Sequence, residues 1–366
     1  MSKTIANREN SKRRRCIQLI ALIIVNALLL SACSSPKMAY EPEQVHVDFG
    51  DNMYNMKLLA TNGNSFFVLY TTYERAEATS EAHSPEADEL YSKQHIGWMR
   101  ADGTALQTLR TLTFESVYDG YDADGQRFDR LHMESLGQVA QRPGGGMAVL
   151  IVEEEIYIDN NTGETDLKIE THLILYGEDG TIEREMRISE QFPEEEIPPI
   201  LLGNSMQELL DGRIVISDAG QVFVFTPSGE IERIFEVALD SFVILNDGRM
   251  IATLFDLESW EWSTRYFNLE TGQIIASNED VVPAAYRSPG MIPGVQYDLY
   301  SPVGDYIFGI DLDRGKAEIL FNWEEVSAHF QSFAVSETGA FYFFEQMGEE
   351  GEDAKEFRLI HAEAPQ

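Results

Sequence analysis

A repeated hairpin unit constrains the fold of this chain more than any other feature. In its clearest copy, the apolar run Val243-Ile244-Leu245 is followed by the turn Asn246-Asp247-Gly248 and by a second apolar run that begins at Met250. Asn, Asp and Gly tolerate the positive φ that a tight hairpin turn needs. Variants of the unit recur along the chain, usually followed by a second turn such as Glu270-Thr271-Gly272. Two chained hairpins form a four-stranded antiparallel sheet, so the repeat predicts a β-propeller.

The repeated turns also predict the number of blades. Each first turn holds a glycine that precedes an apolar strand, and these glycines are Gly63, Gly145, Gly212, Gly248, Gly304 and Gly339. Gly212 and Gly248 are 36 residues apart and Gly304 and Gly339 are 35 apart, whereas longer gaps predict insertions at residues 74–90, 116–129, 190–199 and 278–293. The pattern predicts an all-β fold, a β-propeller of about six four-stranded blades, with seven blades as the alternative. An open sandwich fits the paired turns less well.

The last unit needs a strand from elsewhere in the chain. Residues 348–353 form a long acidic loop instead of a second turn, and residues 356–360 would be the third strand. The alternating segment Val45-His46-Val47-Asp48 is the candidate for the fourth strand, which would close the ring. The alternative is that these residues belong to a linker.

The first 33 residues have the organisation of an export signal. Lys12-Arg13-Arg14-Arg15 form a basic cluster, and residues 16–30 form an apolar segment. This segment is short for a spanning helix, which needs about 20 residues. It ends in Leu30-Ser31-Ala32-Cys33, which resembles the lipobox of bacterial lipoprotein signal peptides. The resemblance implies that Cys33 is acylated and becomes the mature N-terminus; an uncleaved membrane anchor is the alternative.

These features divide the chain into a signal peptide (1–32), a tether (33–43) and a propeller domain (44–366). We expect a protein that is lipid-anchored to the cell membrane through Cys33 and faces the extracytoplasmic side. The other cysteine, Cys16, lies in the signal peptide, so the mature domain has no disulfide and depends on its hydrophobic core.

The charge of the chain excludes some partners. The net charge is −35, and removal of residues 1–32 makes it about −40, which argues against binding nucleic acid or an anionic membrane surface. The surface charge is typical of a soluble exported protein. Binding of divalent cations or of a basic partner is the more specific alternative.

The sequence shows no constellation of catalytic or metal-binding residues. The histidines, among them His132 and His172, stand singly, and no second His or Cys lies at zinc-ligand spacing. The acidic residues 119–125 do not have the spacing of an EF-hand calcium loop, so we interpret them as a solvated loop. We therefore expect no catalytic residues, no metal site, no cofactor and no enzyme activity.

Two tryptophans are the candidate ligand-binding residues. Trp260 and Trp262 flank Glu261, so on a strand they would share one face. They could stack on a sugar or a peptide. The alternative is that they pack against a neighbouring loop.

A family resemblance is carried by Ile319-Leu320-Phe321-Asn322-Trp323 and by Phe333-Ala334-Val335-Ser336-Glu337-Thr338-Gly339. These segments resemble the last two repeats of the propeller-like N-terminal region of some large Gram-positive extracellular solute-binding lipoproteins. The resemblance covers roughly residues 45–365 and the lipobox. In that family a solute-binding domain of sugar importers follows, whereas this sequence ends at Gln366, so we expect no transport activity. The resemblance implies a surface-tethered recognition or accessory module.

Three functional hypotheses follow. The first is a non-enzymatic cell-surface recognition or scaffold module for a protein or carbohydrate ligand, accessory to extracellular solute (sugar) binding and uptake. The second is an extracellular propeller hydrolase or lyase that acts on glycans, which would need two or three carboxylates converging on one face of the ring. The third is an envelope-assembly lipoprotein of the propeller type.

Overall fold

The computed structural model describes residues 42–45, 53–75, 90–101, 106–121, 125–192, 203–218, 220–256, 258–275, 280–288, 290–322, 330–347 and 356–362. The predicted signal peptide, Cys33 and most of the predicted tether lie outside these residues. Two short 3₁₀ helices, Ile188–Gln191 and Ala284–Tyr286, accompany the strands. No helix within the described ranges is long and apolar enough to span a membrane.

The described strands form six antiparallel sheets, which are the blades of a propeller. Blade 1 contains β2 (Met53–Thr61), β3 (Ser65–Arg75), β4 (Leu90–Arg100) and β5 (Gln107–Thr111). Blade 2 contains β6 (Phe114–Tyr121), β7 (Arg127–Gln141), β8 (Met147–Asp159), β9 (Thr165–Tyr176) and β10 (Ile182–Arg187). Blade 3 contains β11 (Ser205–Glu208), β12 (Ile214–Asp218), β13 (Gln221–Phe225) and β14 (Ile231–Glu236).

The remaining blades follow the same order. Blade 4 contains β15 (Ser241–Ile244), β16 (Met250–Asp256), β17 (Glu261–Asn268) and β18 (Gln273–Ile274). Blade 5 contains β19 (Ile292–Pro293), β20 (Leu299–Val303), β21 (Tyr306–Asp311) and β22 (Lys316–Asn322). Blade 6 contains β23 (Phe330–Val335), β24 (Phe341–Met347), β25 (Glu356–Ala362) and, as its outermost strand, β1 (Pro42–Val45).

A separate hydrophobic cluster fills each interface between neighbouring blades. Phe225 lies in the cluster between blades 2 and 3, and Phe343 lies in the cluster between blades 5 and 6. Phe66 of blade 1 packs with Tyr342 of blade 6, so the last blade also contacts the first. The sheets therefore form a closed ring, and the predicted six-bladed propeller is confirmed.

Burial explains the strand pattern within a blade. In blade 3 the middle strands β12 and β13 are buried along almost their whole length, because a neighbouring blade covers each face of the sheet. The outer strand β14 alternates between half-buried and exposed residues. This is the half-exposed outer strand that the alternation of Glu230-Ile231-Glu232-Arg233 predicts.

The two ends of the blades differ. In the four-stranded blades 3 and 4, the first turn and the third turn, which is the second turn of the repeated sequence unit, lie at one end of the strands. We call this end of the ring the turn face; it holds Gly212, Gly229, Gly248 and Gly272, and in blade 2 it holds the β7–β8 and β9–β10 turns. The second turns and the connections between blades lie at the other end, the loop face. Three of the predicted insertions, 74–90, 190–199 and 278–293, fall largely between strands whose neighbouring ends lie at the loop face; residues 76–89, 193–202 and 276–279 lie outside the described residues.

The fourth predicted insertion, residues 116–129, adds to the four-stranded plan of a blade and includes most of β6 and the start of β7. The strand β6 pairs with β7 from Phe114↔Met133 to Tyr121↔Arg127, which makes blade 2 five-stranded. The sequence did not predict that this insertion contains a strand, because a strand whose residues are mostly exposed carries no apolar run.

The predicted first turn of blade 5 is also wrong. Gly304 lies between β20 and β21, so it belongs to the second turn and to the loop face. The first turn is formed by residues 294–298, where the N–H of Gly294 donates to the carbonyl oxygen of Asp298 at 3.1 Å. The strand before it, β19, has only two residues and therefore gives no apolar run to recognise.

Glycines of the third turns serve packing between blades as well as turn geometry. Gly229 has φ +91°, and a Cβ there would lie 2.1 Å from Sδ of Met186 in blade 2. Gly272 has φ +69°, and a Cβ there would lie 2.1 Å from the ring of Phe235 in blade 3. Each turn therefore lies directly against a side chain of the preceding blade.

The N-terminal strand completes the last blade. Strand β1 pairs antiparallel with β25, from Pro42↔Ala362 to Val45↔Leu359. Closure of the last blade by a strand that precedes blade 1 in the chain is thereby confirmed, but the strand lies three residues earlier than predicted, and residues 46–48 lie outside the described residues. Because β25 ends at the turn face, Pro42 lies at the turn face as well.

Candidate functional site

The ring encloses a central channel, a cavity of about 1150 Å³ that opens at the turn face. The innermost strands of all six blades contribute to its wall. Apolar side chains in the wall include Leu59, Phe242 and Phe333, and polar ones include Gln141 and Gln207. The cavity is large enough for a small ligand, which makes it the first candidate site.

The amide side chains of the channel hold the ring together. Gln207 of blade 3 donates to the carbonyl oxygen of Ile244 at 2.6 Å and accepts from the N–H of Ile244 at 2.8 Å. Gln141 of blade 2 donates to the carbonyl oxygen of Val335 in blade 6 at 2.8 Å. These amide groups are hydrogen-bonded to the backbone of other blades. Their role is therefore structural before it is one of ligand binding.

Arg142 is the most buried of the three arginines at the mouth of the channel. Its side chain is 14% exposed and lies 2.5 Å from the buried carboxylate of Glu208 and 2.7 Å from Glu183. It also donates to the carbonyl oxygen of Tyr176 at 3.0 Å. Burial alone would lower the pKa of Arg142, but the hydrogen bonds to Glu208 and Glu183 raise it above its ordinary value.

A repeated Asp-Gly-Arg turn places two further arginines at the mouth. The guanidinium of Arg213 donates to Asp211 at 2.9 Å, and that of Arg249 donates to Asp247 at 2.6 Å. Burial would raise the pKa of Asp247, but the N–H and guanidinium of Arg249 lower it. The carboxylates of these turns are thus bound by the neighbouring arginines, which suits a structural role.

The predicted tryptophan pair lies at the loop face of blade 4. Trp260 is not on the strand, because it occupies the second turn with φ +58°; Trp262 lies on β17. The expected shared strand face is therefore absent for this pair. Both rings instead pack on Phe255, with ring centroids 5.8 and 4.6 Å away, and they are 76% and 44% exposed. Ligand binding by this pair stays a prediction.

Blade 2 carries a second aromatic surface at the loop face. Its strands continue past the ring as a projecting sheet, made of β6, residues 127–135 of β7, 152–159 of β8 and 165–171 of β9. Phe114, Tyr118 and Tyr121 on β6 are 62%, 76% and 68% exposed. The prediction of a solvated loop at residues 119–125 is wrong for residues 119–121, which form the end of β6, where Asp119 pairs with Arg127; residues 122–124 lie outside the described residues.

A carboxylate–histidine cluster lies where the projecting sheet leaves the ring. Glu153 on β8 is directly opposite Glu170 on β9, and His172 follows Glu170 on the same face. One ligand atom from each residue lies within 4.8 Å of the others, and His172 is buried. The hydrogen bond from Lys168 lowers the pKa of Glu170. The sequence did not indicate this cluster, because strand register brings together residues that are 17 and 19 positions apart.

Comparisons with known proteins found similar solved structures but no matching family. No protein-family model matches the chain, and no curated protein matches it. Among solved structures, the Pan2 WD40 domain of Neurospora crassa is 10% identical over 90% of this chain and 98% of its own, with a TM-score of 0.39. The β-propeller domain of the Trilobed protease from Pyrococcus furiosus is 14% identical over 80% and 78%, with a TM-score of 0.32. Oligogalacturonate lyase from Vibrio parahaemolyticus is 8% identical over 86% and 99%, with a TM-score of 0.38. The likeness concerns the propeller fold alone.

Proposed function

We propose that the protein is a non-enzymatic recognition or scaffold module, anchored to the extracytoplasmic side of the cell membrane through a lipid on Cys33. The observation that carries the proposal is that the point where the tether would join the fold and the exposed aromatic side chains lie at opposite ends of the ring. Pro42, where the tether would join the fold, lies at the turn face, whereas the exposed aromatic side chains lie at the loop face.

The sequence limits how far the domain can lie from the membrane. Residues 34–41 separate Cys33 from Pro42, and a fully extended segment of that length spans at most roughly 30 Å. The turn face then points towards the membrane, and the loop face points away from it. This orientation offers the loop face to a ligand.

The projecting sheet is the proposed recognition surface. Exposed aromatic side chains supply large contact area with little loss of side-chain entropy, and they are enriched at binding interfaces. Tyr118 and Tyr121 are suited to stacking on a sugar or to packing against a protein. An accessory role in extracellular sugar binding and uptake is compatible with either ligand.

The lipid anchor is tested by metabolic labelling with a fatty-acid analogue. We expect the wild type to be labelled and the Cys33→Ala variant to lack label and to leave the membrane fraction. Wild-type protein that is unprocessed and unlabelled in the membrane would contradict the anchor.

Recognition is tested with the mature protein on arrays of cell-wall glycans and of envelope proteins. We expect the double variant Tyr118→Ser/Tyr121→Ser to lose binding by about tenfold or more, as truncation of aromatic hot spots does. Leu210→Ser is the matched control, because Leu210 is 80% exposed at the turn face. Equal binding by all three proteins would reject the projecting sheet as the recognition surface.

A glycan hydrolase or lyase acting at the channel mouth is the second candidate. Glu208, Asp211, Asp247, Glu270 and Glu337 line the mouth together with Tyr266, as a carboxylate-dependent enzyme would need. Against it, Glu208 is bound by Arg142, and Glu337 accepts from the N–H of Gly144 at 2.9 Å. Release of new chain ends from a glycan by the wild type, lost in Glu337→Gln, would favour the enzyme over the recognition module.

A further inference from the structure

The cluster of Glu153, Glu170 and His172 has the composition of a metal site. We propose that these three side chains bind a divalent first-row transition-metal ion, with Zn²⁺ the best fit. Imidazole and carboxylate together suit such ions, whereas Ca²⁺ and Mg²⁺ prefer oxygen ligands alone. The proposal is independent of the recognition surface and of the lipid anchor.

The distances fit an ion between the three groups. Nε2 of His172 lies 3.5 Å from Oε2 of Glu153 and 3.6 Å from Oε2 of Glu170. Bonds of about 2.0–2.2 Å from Zn²⁺ to nitrogen or oxygen place two tetrahedral ligands about 3.4 Å apart. The two distances from His172 therefore need to change by only tenths of an ångström, and the ligand atoms of Glu153 and Glu170 lie within 4.8 Å of each other.

The burial of His172 is the observation that points to a ligand. Its side chain is 7% exposed, and neither ring nitrogen has a hydrogen-bond partner among the described residues. A buried polar group without a partner is costly. A metal ion at Nε2 removes this cost on the side that faces the two carboxylates.

The surroundings orient the ligands. Oε1 of Glu185 lies 3.6 Å from Nδ1 of His172, just beyond hydrogen-bond distance, and a small approach would let it accept that N–H and leave Nε2 for the metal, the arrangement found behind many histidine ligands. Nζ of Lys168 binds Oε1 of Glu170 at 2.7 Å, so Oε2 faces His172. Nε2 of His132 lies 3.7 Å from the other oxygen of Glu153 and is the candidate fourth ligand.

The position of the site suggests what the ion does. His172 lies beside the buried half of β9, and Glu153 is the first residue of β8 that is no longer buried. An ion held by both strands would join the projecting sheet to the ring at the point where the shared core ends. We expect metal binding to slow hydrogen exchange in residues 152–171 more than in blades 3 and 4.

The test is calorimetric titration of the chelator-treated mature protein with Zn²⁺, in excess Mg²⁺ to occupy weak carboxylate sites. We expect one Zn²⁺ per chain, with the Kd raised by about tenfold or more in Glu153→Gln and in His172→Gln. Glu155→Gln is the matched control, because Glu155 lies two residues further along β8 and pairs with Arg130 at 2.7 Å. Its Kd should stay within about twofold of the wild type, as expected for a group that does not touch the ion.

Two results would overturn the proposal. One is that wild type and Glu153→Gln bind Zn²⁺ equally; the other is that Glu155→Gln loses as much affinity as Glu153→Gln, which would indicate diffuse binding by acidic residues. His172 is buried, so the His172→Gln variant is the one at risk of failing to fold. The Glu153 side chain is 30% exposed, so Glu153→Gln decides the outcome in that case. The visible spectrum of bound Co²⁺ should show tetrahedral coordination in the wild type and lose intensity in Glu153→Gln.

Discussion

Blades 2 and 3 are neighbours built from the same pair of hairpins, but they use their middle strands differently. In blade 3, β12 and β13 have five residues each, and four of the five are buried in each strand. In blade 2, β8 has 13 residues, of which Met147–Val152 are buried and the remainder are only half-buried. The buried part of each strand therefore lies within the ring, between neighbouring blades. Beyond the ring, the strands of blade 2 continue without a neighbouring blade, and backbone hydrogen bonds join them to one another. The projecting sheet is supported by cross-strand contacts such as Arg130–Glu155 and Phe128–Tyr157.

The largest difference between the two regions should appear when an aromatic ring is removed. Phe225 and Phe343 are fully buried between blades, so we expect Phe225→Ala and Phe343→Ala each to lower the free energy of unfolding by about 3–5 kcal/mol. Tyr118→Ala on the projecting sheet should change it by less than about 0.5 kcal/mol. Urea unfolding measures all three. Unfolding curves of the two Phe variants that match the wild type would refute the assignment of the ring core.

The next largest effect should come from removing the strand that closes the ring. Deletion of residues 41–49 removes β1 and exposes the edge of β25. The lost strand pairing should cost about 2–4 kcal/mol, at roughly 1 kcal/mol for each backbone hydrogen bond. Deletion of residues 34–39 is the control and should leave the melting temperature unchanged. Equal melting of both deletion variants would show that closure by β1 contributes nothing.

A smaller effect is expected at the boundary between ring and projecting sheet. Glu134 on β7 is ion-paired with Arg110 of blade 1 and accepts from the N–H of Thr113 at 2.9 Å. Burial alone would raise the pKa of Glu134, but these hydrogen bonds lower it below its ordinary value of 4.5. We expect Glu134→Gln to lose about 1.5–3 kcal/mol at neutral pH, as for hydrogen bonds to a charged group.

The pH dependence of that loss follows from the lowered pKa. The ionised carboxylate stabilises the fold fully above pH 4.5, and this stabilisation is lost as the pH falls through the lower folded-state pKa. The difference between wild type and Glu134→Gln should therefore shrink in acid, as measured by urea unfolding at a series of pH values. A difference that grows in acid would contradict the assignment.

The smallest expected effect is the difference in stability loss between alanine substitutions at two glycine turns of blade 4. Gly248 and Gly272 both have positive φ, but only Gly272 would place a Cβ against Phe235; Gly248 has nothing within 4 Å. Gly272→Ala should therefore cost about 1 kcal/mol or more beyond Gly248→Ala, as overpacking does. Thermal unfolding of the two variants measures the difference. Equal losses would mean that Phe235 moves aside without cost.

The sequence predicts those parts of the molecule that short stretches of chain determine. Turns such as Asp211-Gly212-Arg213 carry their own hydrogen bonds, so the pattern predicted the blades and their number. Where the local signal is weak, the prediction failed. The two-residue β19 left the first turn of blade 5 unrecognised, and the mostly exposed β6 gave no apolar run from which to predict a fifth strand in blade 2.

The candidate sites were harder to predict for the same reason. Trp260 and Trp262 were conspicuous in the sequence, but Phe255, on which both rings pack, was not. The cluster of Glu153, Glu170 and His172 exists only because the register of β8 and β9 aligns them. No spacing rule along the chain contains that information, since a shift of one residue would turn these side chains to the opposite face.

The pairing of β1 with β25 sets an order of events in folding. Pro42 and Ala362 are 320 residues apart, so this contact has nearly the largest sequence separation that the domain allows, and its loop-closure entropy must be overcome last. In a chain that crosses a membrane from its N-terminus, β1 emerges first but has no partner until β25 has followed. Blades 1 to 5 can form during that interval, whereas blade 6 cannot be completed. If the chain is exported as proposed, the ring can therefore close only after residues 356–362 have crossed the membrane, and a chain truncated before residue 356 would keep β1 without its partner strand.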